Sequence, residues 1–185
     1  MARERCGGAG PCNWALVLAM AAWLVSLGPR PHAQVASEPA LKAAFLLNFA
    51  KFTDWPEDLL APTAPIVLCV TEAEAESALQ GTVAGRTINQ HPLTVTRVKL
   101  DSARACAILY AGKLDRRKTS QLAATLTGAS VLTVGDEEEF AMSGGMIGFF
   151  EEDGRMRFAV NLAAVERTRL RLSARLLTLA KIIKD

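Results

Sequence analysis

The chain has 185 residues, 50% of them apolar and 22% charged, with a formal net charge of +2. That length suits one domain with a sizeable core, and the low charged fraction excludes a disordered chain. The near-neutral balance argues against a dedicated nucleic-acid binder, which would carry a strong basic excess.

Arg3 and Arg5 precede the apolar run from Trp14 to Leu27, which Gly28-Pro29-Arg30-Pro31 ends ahead of the small residues Ala33 and Ala36. A basic start, a short apolar run and a small-residue exit form the layout of a secretory signal peptide. The run is shorter than the roughly 20 residues of a spanning helix, although a retained anchor is the rival reading. Residues 1–36 are therefore expected to be a cleaved export signal, leaving 37–185 as a single domain with no direct membrane insertion. The cut leaves a mature chain with no formal net charge, in which His91, Trp55 and Tyr110 are alone of their kinds. Cys69 and Cys106 remain. Two thiols in an oxidising compartment are expected to pair, while two free core cysteines stay open as the alternative, since both lie in strand-like apolar runs.

Glu38 to Trp55 reads as a helix, with Leu41, Phe45, Phe49 and Phe52 recurring on one face, Pro39 in the first turn and Pro56 as the stop. Trp55 extends that face, for which core packing is preferred over a dimer surface. Ile66 to Val70 is a continuous apolar run, the mark of a strand buried on both faces. Glu72 to Gln80 reads as a short acidic helix stopped by Gly81. Leu93 to Val98 alternates as a strand, Ala105 to Tyr110 is another apolar run, and Lys113 to Leu126 is helical with Gly128 beyond it. Val131 to Val134 adds a buried strand. Met146 to Glu151 and Arg155 to Val160 flank Asp153-Gly154, a tight-turn signal, and make a β-hairpin. Asn161 caps a helix over Leu162 to Thr168, Leu170-Arg171-Leu172 alternates, and Ser173 caps a final helix from Ala174 to Ile183. The expected fold is a single compact α/β domain, with a largely parallel sheet flanked by helices and the hairpin at the sheet edge.

The inventory of chemical groups is thin. One histidine in the mature chain excludes a multi-histidine metal site, and no Gly-x-Ser-x-Gly elbow accompanies it. His91 sits in the polar turn Asn89-Gln90-His91-Pro92 and reads as an exposed loop residue. Cys69 and Cys106 lack the companions of a zinc site. The acidic run Asp136 to Glu139 reads as a solvated loop rather than a cation site, and Gly144-Gly145 as a backbone kink. No catalytic residue, metal ligand or cofactor site is expected. The most distinctive charged feature is the basic face of Arg167, Arg169, Arg171 and Arg175, which suits an acidic partner surface, a phosphate-bearing ligand or lipid headgroups.

In this order, several stretches resemble the YfiR family of periplasmic proteins, also described as YfiR/HmsC-like. They are Lys42 to Pro56, Ile66 to Val70 with its cysteine, Val83 to Ile88, Cys106 to Tyr110, Val131 to Asp136 with Phe140, Gly144 to Ile147, Arg157 to Asn161, and Leu170 to Ala180. The resemblance covers nearly all of the mature chain. It implies a compact α/β domain in the periplasm, often a homodimer, with a disulfide between Cys69 and Cys106. It also implies a non-enzymatic regulator that binds the periplasmic sensory domain of an inner-membrane diguanylate cyclase and lowers cyclic di-GMP output. A second cysteine pair that some members carry near the hairpin is missing here.

A single-lobed periplasmic small-molecule-binding or sensory domain is the second reading, because Asn161 to Ser173 also resembles the closing strand–helix pattern of substrate-binding proteins. For the regulator, the expected contact surface is Arg169, Leu170, Arg171 and Leu172, with Glu166 at the rim. An alternating step cannot bury both sides, and apolar anchors ringed by arginines carry much of the energy of an interface. The competing reading is that the two leucines plug the core while the arginines are solvated.

Overall fold

A computed structural model describes residues 37–58 and 60–184; the expected export signal lies outside the described residues. The described residues form one compact unit. Its elements are α1 (Glu38–Lys51), β1 (Thr53–Asp54), β2 (Ile66–Val70), α2 (Ala73–Val83), β3 (Thr87–Ile88), β4 (His91–Arg97), a 3-10 turn (Leu100–Ala105) and β5 (Ile108–Tyr110). They continue with α3 (Arg116–Thr125), β6 (Leu132–Gly135), α4 (Glu138–Met142), β7 (Ile147–Glu152), β8 (Arg155–Asn161), α5 (Leu162–Glu166), β9 (Arg171–Leu172), α6 (Ala174–Leu177) and β10 (Lys181–Ile183).

Eight strands form one sheet in the order β10-β8-β7-β6-β5-β2-β4-β3, and β1 and β9 pair separately. Strands β4, β2, β5, β6 and β7 are mutually parallel. The chain first steps outward from β2 to β4, then returns to the other side of β2 with β5 and continues through β6 and β7. The direction of winding thus reverses between β2 and β5, and such a reversal opens a crevice beyond the carboxyl ends of the two strands.

Alternation along the buried strands divides the interior in two. Ile66, Leu68 and Val70 face α1 and α2 together with Ile108, Leu132, Ile147 and Phe149. Val67 and Cys69 face the other way, toward Leu109, Leu122 and Phe140. Phe45, Phe49, Phe149 and Phe158 interlock in the first core, with ring centroids 5.1–6.1 Å apart. The opening-helix aromatics therefore pack on the sheet. Cys69 and Cys106 are joined by a disulfide in the second core, with Cα atoms 5.8 Å apart. Phe140 is gripped by glycines: a Cβ at Gly135 or Gly145 would overlap its ring. That close approach accounts for Gly145 more fully than a simple kink does.

Several boundaries differ from expectation. Helix α1 stops at Lys51, because Trp55 before Pro56 is steered away from helical dihedrals and Thr53–Asp54 finds a strand partner in β9. Helix α2 runs through Gly81 to Val83, since buried Leu79 and Val83, one turn apart, hold the added turn to the core. The residue that takes the left-handed conformation after α2 is Gly85, with φ +67°. His91 is no loop residue: it opens β4, is half-buried, and places Nδ1 2.8 Å from the Ala64 carbonyl oxygen.

The hairpin forms around Asp153 and Gly154, both at positive φ as a two-residue turn of this hand requires. It lies one strand in from the edge. The expected last helix is a single turn, capped by Ser173 accepting from the Leu176 N–H, after which Lys181–Ile183 pairs in parallel with β8. The β-branched pair Ile182-Ile183 favours that outcome, because the flank of β8 offers an unfilled ladder.

Candidate functional site

The structure separates the residues of the expected contact surface. Leu170 is 4% exposed and belongs to the first core, and Leu172 is half-buried against it. Leu170 is thus not a surface anchor: it plugs the core, as in the competing reading. Arg169, Arg171 and Glu166 are exposed, as are Arg167 and Arg175.

The base beneath the arginines is fixed. Strand β9 pairs antiparallel with β1, Thr53 opposite Leu172 and Asp54 opposite Arg171, and the Ser173 N–H donates to the Phe52 carbonyl at 2.9 Å. Arg169 forks onto Asp58, with both guanidinium–carboxylate distances 2.9 Å. That guanidinium holds the Asp58 carboxyl below its ordinary pKa. Beside it opens a cavity of about 530 Å³ lined by Trp55, Leu60, Val67, Arg104, Cys106 and Arg169.

A second arrangement, absent from the sequence reading, sits where the winding reverses. Tyr110 ends β5, Glu72 follows β2 and Asp136 follows β6, so three carboxyl ends deliver polar groups to one place. Helix α1 adds Glu38 and Lys42. The Tyr110 hydroxyl donates to Asp136 Oδ1, and Lys42 Nζ lies 2.8 Å from the same oxygen and 2.7 Å from Glu38 Oε1. Side-chain exposures of 14% for Lys42 and 19% for Asp136 set this pair apart from the surface ion pairs.

Burial pushes the Tyr110 pKa up, and the neighbouring Asp136, Glu72 and Glu38 carboxylates push it further. Burial opposes the Lys42 ammonium, but its bonds to Asp136 and Glu38 outweigh that and raise its pKa as well. Both groups therefore stay protonated at neutral pH, and neither serves as a base there.

The acidic run is not a free solvated loop. Asp136 takes Lys42 and Tyr110, Glu137 takes Lys113, Glu138 lies 2.7 Å from Lys181 and Glu139 lies 2.6 Å from Arg116. These pairs tie the end of β6 to α1, and α4 to α3 and to β10. No three His, Cys, Asp or Glu side chains come together as metal ligands among the described residues, and no described helix is long and apolar enough to cross a membrane.

The signal for the second site was present in part. In a wound sheet the residues just past the carboxyl ends of adjacent strands form the crevice; Tyr110 ends one run that reads as a strand, and Glu72 and Asp136 lie two residues past two others. Only the strand order was missing. A family model described as YfiR/HmsC-like matches residues 39–181, from the first turn of α1 to the first residue of β10. That family is periplasmic, and it is regulatory rather than catalytic, in diguanylate cyclase signalling.

Proposed function

This chain belongs to the YfiR/HmsC-like family, and on that premise we propose that it binds the periplasmic sensory domain of an inner-membrane diguanylate cyclase and holds the enzyme inactive. Residues 1–36 direct export and are removed, and residues 37–185 act as the mature regulator, as a homodimer. The contact surface is Arg169, Arg171 and Leu172 with Glu166 at the rim, and Leu170 supports it from below.

The observation that carries this surface is a set of exposed arginines on a strand-paired, core-anchored base. Pairing of β1 with β9 and burial of Leu170 fix the backbone, so little ordering entropy is lost when the arginines meet a partner. Arg167, Arg171 and Arg175, exposed and outside any ion pair among the described residues, complement an acidic patch and steer encounter with it, while Arg169 is held by Asp58.

The test reverses Arg169 and Arg171 to Glu and follows folding by circular dichroism and cyclic di-GMP in cells that carry the cyclase. A folded variant that no longer lowers cyclic di-GMP supports the surface. A folded variant that represses fully removes it. If the pair unfolds, the single exposed change Arg171→Glu decides the matter by the same readout, because Arg171 makes no ion pair among the described residues.

A further inference from the structure

We propose that the cavity at the winding reversal binds a small organic cation with an apolar body, of the class of protonated primary amines. The inference does not depend on the cyclase reading, because it concerns what the folded domain binds by itself.

The cavity holds about 210 Å³. That is below the roughly 300–1,000 Å³ of sites for drug-sized ligands, so the fit is to a molecule of few heavy atoms. Its floor is apolar, formed by Pro39, Ala43 and Leu46 of α1 and by Ala75 and Leu79 of α2. Its rim is charged. Glu38, Glu72, Glu74 and Asp136 face a single cation, Lys42.

The charge of Lys42 is already committed to Glu38 and Asp136. Glu72 and Glu74 have no ion-pair partner among the described residues, so the wall keeps uncompensated negative charge. Gly112 leaves room for Glu72: its φ is +62°, and a Cβ there would come within 2.5 Å of Glu72 Oε1. Burial raises the Tyr110 pKa first of all, and Asp136, Glu72 and Glu38 raise it further.

An anion would meet repulsion here, and a neutral apolar molecule would leave the carboxylates unused. An alkyl ammonium satisfies both parts, with its chain on the Ala43, Leu46 and Leu79 floor and its head toward Glu72 and Glu74. A bare metal ion is a poorer match. The carboxylates form no ligating group among the described residues, and much of the lining is hydrocarbon.

Isothermal titration of the purified mature protein with hexylamine, hexanol and hexanoate separates these cases, since the three share one chain and differ in the head. Hexylamine should bind saturably, hexanol about tenfold or more weakly, and hexanoate not at all. Amide shift changes on binding should centre on Lys42, Ala75 and Tyr110. The double variant E72Q/E74Q changes two exposed side chains outside any ion pair among the described residues, so it should keep the native melting temperature while weakening hexylamine about tenfold. Ala75→Phe should abolish binding by filling the space.

Absence of saturable hexylamine binding would overturn the proposal, as would shift changes centred elsewhere. Equal affinity for hexanol, or unchanged affinity in E72Q/E74Q, would overturn the assignment of a cation. If Ala75→Phe fails to fold, E72Q/E74Q alone decides.

Discussion

Truncating Phe49 to alanine probes the packing that holds α1 to the sheet. The side chain is fully buried, and its ring lies 5.1 Å from that of Phe158 and 5.8 Å from that of Phe149. Returning its apolar surface to water costs about 2 kcal/mol. The void left behind, roughly 60–100 Å³, adds about 1.5–2.4 kcal/mol at ~24 cal/mol per Å³. The expected loss is therefore about 4 kcal/mol, most of the stability of a marginal domain but not all of it. Phe49→Leu, which keeps most of the volume, should cost about 1–1.5 kcal/mol. Urea unfolding followed by circular dichroism reads both values as shifts in midpoint at constant slope. A loss below about 1 kcal/mol for Phe49→Ala, with a change in oligomeric state, would refute core packing and make the face an interface.

Reducing the Cys69–Cys106 bridge, which spans 37 residues, should lower stability by about 4 kcal/mol without abolishing the fold; both thiols proving alkylatable in the folded, oxidised protein would remove the bridge from the account. Tyr110 is the chain's single tyrosine, so tyrosinate absorbance reports it alone, and the native protein should show none where a free phenol with the ordinary pKa of 10.0 is half ionised. Because the folded pKa is raised, Tyr110's contribution is fully present below pH 10.0 and is lost as pH climbs beyond it, at up to about 1.4 kcal/mol per pH unit; Lys42 acts in the same direction above its ordinary 10.5. A normal titration near pH 10 with the fold intact would contradict that environment. Gly81→Ala, on an open helix surface, should stabilise by about 0.5–1 kcal/mol, whereas Gly145→Ala, whose methyl meets the Phe140 ring, should cost about 1–3 kcal/mol; equal effects in a thermal melt would show that the two glycines are not distinguished by their surroundings.

Elements with a strong period or a strong local signal were legible. The apolar runs at Ile66 and Val131 appear as buried strands, and Asp153-Gly154 makes the hairpin turn because both residues tolerate positive φ. Asn161 and Ser173 cap helices as their side chains allow. Elements decided by distant partners were less legible. Gly81 looks like a stop to a local rule, yet burial of Leu79 and Val83 carries α2 past it. Lys181 to Ile183 continues a helical pattern in sequence, but an open ladder on β8 captures it. In each case a tertiary contact outweighs a propensity of a few tenths of a kcal/mol.

One boundary error had consequences at the candidate surface. With Thr53–Asp54 read as the last turn of a helix, Leu170-Arg171-Leu172 had no strand partner, and its alternation left open which side faced inward. Once α1 ends at Lys51, β1 pairs with β9 and fixes the segment's rotation about its own axis. Leu170 then falls into the core, Leu172 leans on it, and Arg169 and Arg171 point to solvent. Because side chains alternate with a period of two, there is no intermediate arrangement: a slip of one residue would bury both arginines and expose both leucines. Burying two guanidinium groups beside Phe52 and Trp55 without carboxylate partners would cost several kcal/mol. The pairing of two residues with two others therefore decides which side of the segment faces solvent, and it is the side that carries Arg169 and Arg171.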